Sequence, residues 1–535
     1  MRKKTLGALL CTVAAMAVLT GCGGDRKETA AAVTEAAKTE AETTAAVQTE
    51  AGGEKNLVMP SASCVANLNP LLEGYKEAAM LNPIYDPLYV IDVNETRYYL
   101  ADSYEVSEDG MQITVKLKEG LKWHDGEAIT ADDMIFTMDV CSDTNNGASG
   151  TNIAILNDQP VKYEKVDDLT VKVSLPMASA SYADLLGGLT LIPEHVFEGN
   201  PSVVSAGEAN MKGIGSGPYK VTEFKQDEYL LLEKYEDYYM GAPSIDKVTF
   251  RIISDLSAQE VALMNGEVNF MELANAPAVA KYEADPNFTV VKYPEGRVNY
   301  LAVNKFCETV QDPKVVEAVF AALNRDEIIA GAYGDGMAES ANSIFSNVNT
   351  FYDPSVEGYT QDVEKAKQLV KETGLDSKTL TLYFNSERVY MKESAQIIQQ
   401  QLKNVGINLE VIPLESAGFF EKVFGTDGDY EFYLNGYGAV GDPDQVVAGM
   451  YNGTWGVNLA VSDEVAQLWK DARTVYTPEE RAEIYKQIQI QTRDELTCYP
   501  IAYPNYVFVT TSNIKGADTI KRTPVFEDYT KLTME

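Results

Sequence analysis

Side chains that could perform chemistry are few and scattered along this chain. His124 and His195 are the only histidines among 535 residues. A histidine that acts as a general base needs a nucleophile or a carboxylate within hydrogen-bond distance, and the sequence contains neither a G-x-S-x-G nor an H-E-x-x-H pattern. Both histidines lie in segments predicted to be turns or connections, so we assign them structural roles and expect no catalytic residue.

Patterns for metal or phosphate binding are equally weak. Asp427, Asp429 and Glu431 alternate as in a calcium loop, but Phe432 stands where that loop requires glycine. We therefore predict an exposed acidic turn. The stretch 213–217 is rich in glycine, yet it lacks the lysine and hydroxyl residue of a phosphate-binding loop. Two histidines are too few for a His-rich nickel or zinc site, and no metal or cofactor is expected.

The elements that position these residues follow two hydrophobic periodicities, which together predict mixed α/β structure. Apolar residues alternate with polar ones over 113–117 and 169–175, as in strands with one buried face. Thr130 and Asp133 form a capping-box pattern that predicts the start of a helix. The pair Asp312-Pro313 predicts another helix start, because proline is favoured at the first helical position.

The C-terminal half predicts a strand–helix–strand unit. Strand patterns cover 380–384 and 407–411, and a helical pattern covers 391–404 between them. Gly406 ends the helix, and this order favours parallel pairing of the two strands. Thr477 to Glu480 combines a capping box with proline at the first position, which predicts a helix to about Leu496.

The N-terminus is typical of an exported protein. Arg2, Lys3 and Lys4 precede an apolar run over 6–19, which is shorter than the roughly 20 residues of a membrane span and has the flanks of a secretory signal. The run ends in Leu-Thr-Gly-Cys22, which resembles a bacterial lipobox with Cys22 as the acylated residue; an ordinary signal peptide is the alternative. We expect a signal peptide over 1–21 and a lipid-anchored protein at the outer face of the cytoplasmic membrane, on the periplasmic side if the cell has an outer membrane.

Composition defines the next segment and excludes some partners. Residues 22–55 follow as the lipidated cysteine and a linker rich in Ala, Thr, Glu and Gly, which predicts a flexible tether or a short spacer helix. The net charge of −36 argues against nucleic acid and against an anionic membrane surface as partners. Cys64, Cys141, Cys307 and Cys498 are widely spaced without a C-x-x-C pair, and we expect them to be small buried residues.

A run of motifs identifies a resemblance. Residues 121–127 read L-K-W-H-D-G-E, and 130–133 read T-A-D-D. In order, G-S-G-P-Y at 215–219, Y-L-A-V-N at 300–304, A-A-L-N-R-D at 321–326 and G-D-P-D at 441–444 follow. Together they resemble the signature of the dipeptide/oligopeptide-type (family 5) extracellular solute-binding proteins of bacterial ABC importers. The resemblance covers the chain from about Leu57 to the C-terminus.

The resemblance implies a two-lobed α/β fold of the periplasmic-binding-protein type, with a hinge crossed twice near Arg297 and Tyr503. Lobe I would comprise 56–87, 208–296 and 504–535, with an extra subdomain at 88–207; lobe II would comprise 297–503. Ligand would lie between the lobes, and their closure would be a hinge motion. A monomer that presents the closed form to the permease subunits of an ABC transporter is the family expectation.

The resemblance also suggests ligand-binding residues in lobe II. In dipeptide-binding relatives one loop reads G-W-x-x-D, and its aspartate pairs with the amino terminus of the ligand. Here Tyr437 replaces the tryptophan and Val440 the aspartate, so this anchor is missing unless Asp442 or Asp444 substitutes for it.

Those relatives hold the peptide carboxylate with an arginine just before the helix near Met391. Arg388 is close to that place, whereas Asn385 and Glu387 are nearer by ungapped spacing. The aromatic faces of Tyr437, Tyr451 and Trp455 could pack on a ligand, with core packing as the alternative. Weaker candidates in loops expected to border the cleft are Asn458 and Ser63.

The function that follows is capture of an extracellular peptide or similar solute for import, without catalysis. A buried charged terminus without a partner costs several kcal/mol, so the missing anchors disfavour a dipeptide and leave longer peptides or uncharged oligosaccharides open. A sensor of signal peptides that is not coupled to uptake is the second hypothesis. A secreted hydrolase is the third, and it would need a nucleophile–base pair or paired carboxylates in the cleft.

Overall fold

The computed structural model describes residues 54–72, 80–91, 95–438, 440–451, 459, 461–519 and 528–535. These residues all belong to one compact unit, Ala51–Glu535. The predicted signal peptide, Cys22 and the tether up to residue 53 lie outside them. Within the described part of the chain, no helix is long and apolar enough to cross a membrane.

The strands and helices interchange along the chain, which confirms the predicted mixed α/β structure. The described strands are β1 Asn56–Ser61, β2 Tyr89–Ile91, β3 Thr96–Tyr98, β4 Ala101–Val106, β5 Gln112–Leu117, β6 Ile155–Leu156, β7 Gln159–Pro160, β8 Lys162–Asp167, β9 Thr170–Ser174, β10 Tyr219–Lys225, β11 Tyr229–Lys234, β12 Lys247–Ile252, β13 Phe270–Glu272, β14 Phe288–Pro294, β15 Arg297–Val303, β16 Ala338–Ser340, β17 Thr379–Asn385, β18 Asn408–Leu414, β19 Phe432–Gly438, β20 Cys498–Thr511, β21 Ile514–Lys515 and β22 Thr533–Met534. The described α-helices are α1 Ala131–Ser142, α2 Thr151–Ala154, α3 Tyr182–Gly187, α4 Gly207–Asn210, α5 Leu256–Met264, α6 Ala276–Glu283, α7 Pro313–Ala322, α8 Arg325–Ala332, α9 Val363–Thr373, α10 Val389–Asn404, α11 Ser416–Val423, α12 Pro443–Val446, α13 Ala448–Tyr451, α14 Asp463–Thr474 and α15 Pro478–Asp494.

Two four-stranded sheets are built from the first half of the chain. One has the order β1-β12-β11-β10 and packs on a core that includes Phe250 and Phe508. The other has the order β4-β5-β9-β8 and covers a separate core around Trp123. In this second layer Thr130 caps α1, and the reciprocal bond from the Thr130 amide to Asp133 confirms the predicted capping box.

The largest sheet has eight strands, ordered β13-β20-β15-β19-β17-β18, with β14 and β16 also paired to β20. Its two faces bury different cores. Leu301 and Val303 pack under the helices α7 to α10, whereas Val298, Tyr300 and Ala302 face the aromatic core of α14 and α15. The pair β17 and β18 is parallel across α10, as predicted from the strand–helix–strand pattern.

One strand, β20, is shared by two groups of partners. Its residues from Asn505 onward pair with β14, and its earlier residues pair with β15 up to Ala302 opposite Cys498. Because β14 and β15 follow each other along the same edge of β20, the chain passes from one group to the other at Glu295 and Gly296.

The predicted capping box at Thr477 is wrong in part. Thr477 is the N-cap residue of α15, but its side chain makes no capping bond. The helix start is fixed instead by Pro478 at the first position and by the amide of Arg481, which donates to the Thr477 carbonyl. The helix ends at Asp494, two residues before the predicted Leu496.

Candidate functional site

The chain passes from β14 to β15 through a tight turn, and these two strands pair with successive stretches of β20. Gly296 has φ +72°, in the left-handed region that favours glycine. A side chain at this position would also approach Val440 to 1.9 Å and Val348 to 3.4 Å. The turn therefore requires glycine for both its backbone and its packing.

Arg297 follows this turn and lies across the end of β19. Its Nε donates to Asn299 Oδ1 at 3.1 Å, and its Nη2 donates to the Gly436 carbonyl at 2.6 Å. Gly436 makes this crossing possible, because a Cβ there would lie 2.0 Å from Asn299 Oδ1. Asn299 in turn donates from Nδ2 to the hydroxyl of Tyr333 at 2.9 Å.

A second junction joins the sheet β4-β5-β9-β8 and its core around Trp123, which together we call the Trp123 layer, to the loop after β19. Buried Ser181 donates to Asp444 Oδ2 at 3.0 Å and accepts from Gln445 Nε2 at 2.6 Å. The amide of Asp442 donates to Asp184 Oδ2 at 2.9 Å. We name these five residues, Ser181, Asp184, Asp442, Asp444 and Gln445, the latch contact.

Two further bonds extend this junction. The amide of Ala180 donates to the Arg473 carbonyl at 2.8 Å, and the Tyr476 hydroxyl donates to the Gly110 carbonyl at 3.2 Å. The Tyr476 ring occupies the space where a Cβ of Gly110 would lie, at 1.9 Å. The Trp123 layer and the β19 loop thus meet over several elements and away from the turn at Gly296.

The structure corrects the suggestion that Asp442 or Asp444 anchors a ligand amine. Asp442 is buried and paired with buried Arg481, with Nη1 to Oδ2 at 2.6 Å and Nη2 to Oδ1 at 3.0 Å. Burial opposes the charge of Arg481, but Asp442 outweighs it and raises the pKa of the guanidinium. Asp444 is held by Arg473 at 2.8 Å. Since both carboxylates already have arginine partners, neither is available as a free anchor.

Tyr437 and Tyr451 are also corrected as ligand-facing aromatics. Tyr437 is 8% exposed and Tyr451 is 0% exposed, and both lie in the aromatic core beneath α14 and α15. Tyr437 donates to the Ile344 carbonyl at 2.6 Å, and the two hydroxyls lie 3.0 Å apart. Alternation along β19 explains the error, since side chains of neighbouring residues point to opposite faces of a sheet.

The other predicted ligand-binding residues have different outcomes. Arg388 is half-buried and is the N-cap residue of α10, where it makes no capping bond. Ser63 is exposed, and its carbonyl accepts from Ser61 Oγ at 2.7 Å. Trp455 and Asn458 lie outside the described residues. For Arg388, Ser63, Trp455 and Asn458, a ligand-binding role stays a prediction.

The histidines hold loops together. Neutral His124 accepts at Nδ1 from the Gly215 amide at 3.2 Å, and its Nε2 lies 2.9 Å from the Gly217 carbonyl. Burial lowers the pKa of His124 to about 4. The W-H-D-G and G-S-G-P-Y segments are therefore bonded to each other through this ring. His195 lies 2.8 Å from Asp125 of the same segment.

The acidic turn binds a lysine. Lys422 Nζ lies 3.0 Å from Asp427 and 2.8 Å from Asp429, and both carboxylates are exposed. Within the described ranges, no group of three or more His, Cys, Asp or Glu residues could hold a metal ion. Of the four cysteines of the body, Cys141, Cys307 and Cys498 are buried free thiols, and Cys64 is half-buried.

Arg297 and the latch contact were missed as functional candidates by sequence reasoning. The family resemblance indicates Arg297 only as a place where the chain crosses between the lobes. A charged residue directly after such a crossing, in front of the Y-L-A-V-N strand, is a signal that could have pointed to it. Ser181 carries no comparable signal, because its partners Asp444 and Gln445 lie more than 260 positions further along the chain.

Comparison with known proteins gives a family match. The model of the bacterial extracellular solute-binding proteins, family 5 (middle region), matches residues 95–458. The dipeptide-binding protein of Escherichia coli is 27% identical over 493 residues, which are 86% of this chain and 92% of that protein. The oligopeptide-binding protein AppA of Bacillus subtilis is 28% identical over 548 residues, with 96% of each chain covered.

Solved structures show the same fold. The ABC transporter substrate-binding protein CtaP of Listeria monocytogenes aligns with a TM-score of 0.84 and 33% identity, over 90% of this chain and 99% of that chain. AppA of Bacillus subtilis, solved in complex with a nonapeptide, aligns with a TM-score of 0.71 and 26% identity, over 90% of this chain and 99% of that chain.

Proposed function

The chain belongs to family 5 of the bacterial extracellular solute-binding proteins, and we propose that it captures an extracellular peptide or similar solute between two lobes and delivers it to the permease of an ABC transporter. It is a solute-binding protein of an ABC importer and not an enzyme. The two-lobed α/β fold expected from the motifs is confirmed by the solved relatives.

The observation that carries the proposal is the shared strand β20. Its two ends pair with β14 and β15, and these are joined through Gly296. Such an arrangement leaves two adjacent chain crossings between the lobes, at 295–296 and at 503–504. A few residues that absorb a change of φ and ψ are what hinge closure around a ligand requires.

The division of the body that we propose follows these crossings. Lobe I comprises 56–87, 208–296 and 504–535, with the subdomain 88–207 on it, and lobe II comprises 297–503. The separate cores of the β1-β12-β11-β10 sheet and of the Trp123 layer support this division. The latch contact then joins the subdomain to lobe II, and we interpret it as part of the closed form.

A peptide is the solute class that the relatives favour. Two similar proteins are named as dipeptide- and oligopeptide-binding, and a solved relative holds a nonapeptide. Asp442 and Asp444, the first carboxylates after the position of the expected amine anchor in the sequence, are paired with Arg481 and Arg473. We therefore propose a peptide longer than a dipeptide, whose backbone supplies most of the hydrogen bonds.

The predicted membrane attachment belongs to the same proposal. Cys22 would carry the lipid, and 23–55 would be the tether of a monomer at the outer face of the cytoplasmic membrane. Stable anchoring requires more than one acyl chain, at about 0.8 kcal/mol per buried CH₂. Labelling with a palmitate analogue, lost on Cys22→Ser, tests this attachment.

A thermal-shift measurement on the purified protein tests the ligand class. Tetrapeptide mixtures and malto-oligosaccharides are compared, because a solute that binds only the folded state raises the melting temperature by mass action. At a concentration of 100 Kd the stabilisation is about 2.7 kcal/mol. We expect a rise with peptides. A rise with oligosaccharides alone would replace the peptide by a sugar as the solute.

A further inference from the structure

Arg297 is a half-buried cation without an anionic partner. Two of its nitrogens donate to Asn299 and to the Gly436 carbonyl. The remaining nitrogen, Nη1, has no hydrogen-bond partner among the described residues, and no carboxylate of these residues lies within 4.0 Å of the guanidinium. Arginine is always charged in proteins, and its planar fork matches a carboxylate.

Two other arginines of this region, buried Arg481 and half-buried Arg473, have anionic partners. Arg481 and Arg473 each meet an aspartate, at 2.6 and 2.8 Å. Acidic residues are abundant, since 80 Asp and Glu oppose 44 Lys and Arg. Arg325 also has no carboxylate partner among the described residues, but its guanidinium lies 5.0 Å from the centroid of the Tyr499 ring. Arg297 has neither a carboxylate nor an aromatic ring as a partner within the described part of the chain, so a ligand can supply its counter-ion.

A second group without a partner lies beside it. The Tyr390 ring stacks on the Tyr333 ring, with 5.3 Å between centroids, and Tyr333 accepts from Asn299. The Tyr390 hydroxyl is buried and makes no hydrogen bond. An unsatisfied buried polar group costs about 1–3 kcal/mol, so this hydroxyl gains free energy when a ligand atom bonds to it.

Electrostatic effects place these groups in one neighbourhood. Burial raises the pKa of Tyr333, and Tyr390 and, more weakly, the Glu295 carboxylate raise it further, whereas the Asn299 hydrogen bond and the positive charge of Arg297 lower it. Tyr390 and Arg297 act in the same directions on Tyr300, whose pKa is raised first by its own burial. The guanidinium and the unpartnered hydroxyl therefore lie close to the same side chains.

We infer that Arg297 and the Tyr390 hydroxyl form an anion subsite that binds a carboxylate of the transported solute. The subsite lies where the chain crosses between the lobes, so a ligand in the cleft reaches it. This inference rests on the proposed function and adds that the solute carries a carboxylate, either at a peptide C-terminus or on an acidic side chain. A body of net charge −36 repels anions, and a local arginine overcomes that repulsion.

The test compares three probes on the purified full-length protein. They are a tetrapeptide mixture without Asp and Glu, the same mixture with C-terminal amides, and an amidated mixture with Glu fixed at one position. Thermal-shift titration gives the concentration at which each mixture produces half of its maximal effect. For the wild type we expect the mixture with a free terminal carboxylate to act at a concentration at least tenfold lower than its amide, since bonds to charged groups are the strong ones.

Arg297→Gln removes the charge and Tyr390→Phe removes the hydroxyl. Arg297→Gln is expected to abolish the preference for the free acid, and Tyr390→Phe to weaken binding of the acid about three- to tenfold. Tyr390→Phe keeps the ring stack, so it remains informative if Arg297→Gln does not fold. Arg325→Gln is the matched control, because Arg325 is a half-buried arginine of the same lobe whose guanidinium donates to the Pro500 and Tyr359 carbonyls, and it is expected to keep the preference.

The outcomes separate the two proposals. A preference for the Glu-containing amide in place of the free acid assigns the subsite to an acidic side chain. Equal action of all three mixtures on the wild type, or an unchanged preference in both Arg297→Gln and Tyr390→Phe, overturns the anion subsite and leaves peptide capture standing. If none of the mixtures stabilises the wild type, peptide capture fails and the subsite fails with it.

Discussion

An aspartate in a loop near a cleft can bind a ligand or hold the loop in place, and its partners decide which. Asp442 receives two hydrogen bonds from Arg481 and also lies 3.2 Å from the Tyr485 hydroxyl. Its carboxylate is thus saturated by the protein. Arg297 shows the reverse case, a charged side chain with unused hydrogen-bonding capacity. At the scale of the residue, a charged side chain that has no ionic partner in the protein indicates a ligand site better than its position in a sequence motif does.

The buried pair gives a prediction about stability. Asp442→Asn leaves the Arg481 guanidinium buried without a carboxylate, and removal of one partner of a buried pair typically costs about 3–5 kcal/mol. Urea denaturation should therefore show a clear loss in the free energy of unfolding. Asp427→Asn is the control, because Asp427 is exposed and its surface pair contributes at most about 1 kcal/mol. Equal stability of both variants would contradict a structural role for Asp442.

At the scale of the element, successive residues of strand β19 face opposite sides of the sheet, so one side serves core packing and the other side accommodates Arg297. Tyr437 projects into the aromatic core, while Gly436 leaves the opposite face open for the side chains of Arg297 and Asn299. The missing side chain of Gly436 is therefore part of the site. Gly438 belongs to the same strand, yet a Cβ there would meet nothing within 4 Å.

These two glycines form a matched pair for mutation. Gly436→Ala places a methyl group 2.0 Å from Asn299 Oδ1 and 3.0 Å from Arg297 Nε, so we expect Arg297 to be displaced. Overpacking of this kind typically costs about 1–3 kcal/mol. Thermal unfolding and peptide titration should both show a loss for Gly436→Ala and little change for Gly438→Ala. Similar effects of the two substitutions would contradict the close crossing of Arg297 over β19.

At the scale of the whole body, the proposed closure would depend on contacts far from the proposed hinge. The latch contact joins the Trp123 layer to the loop after β19 through Ser181 and Asp184, whereas the chain crosses at Gly296. Each hydrogen bond there contributes modestly, about 0.5–1.5 kcal/mol. In the closed form that we propose, several of these bonds together would add to the stability of closure.

The latch contact predicts a kinetic effect. Ser181→Ala removes the bonds to Asp444 and Gln445, so the closed form opens more readily, and we expect a bound peptide to dissociate about three- to tenfold faster. Stopped-flow displacement of the peptide found by thermal shift measures this rate. Ser142→Ala is the control, because Ser142 lies in the same layer, is exposed and donates to the Asp139 carbonyl of its own helix, away from the latch contact. Identical dissociation rates for the two variants would exclude the latch contact from the closed form.

The sequence by itself determined the class of protein and the local elements. The capping box at Thr130, the strand–helix–strand unit around α10 and the family motifs depend on neighbours within a few residues, and all of these were predicted from the sequence. The roles of Asp442, Tyr437 and Arg297 depend on partners that are tens to hundreds of positions distant. Arg481 lies 39 positions from Asp442, and Gly436 lies 139 positions from Arg297. Only the tertiary structure decided which charges are neutralised inside the protein and which remain for a ligand, because burial and ion pairing are set by the packing of distant segments.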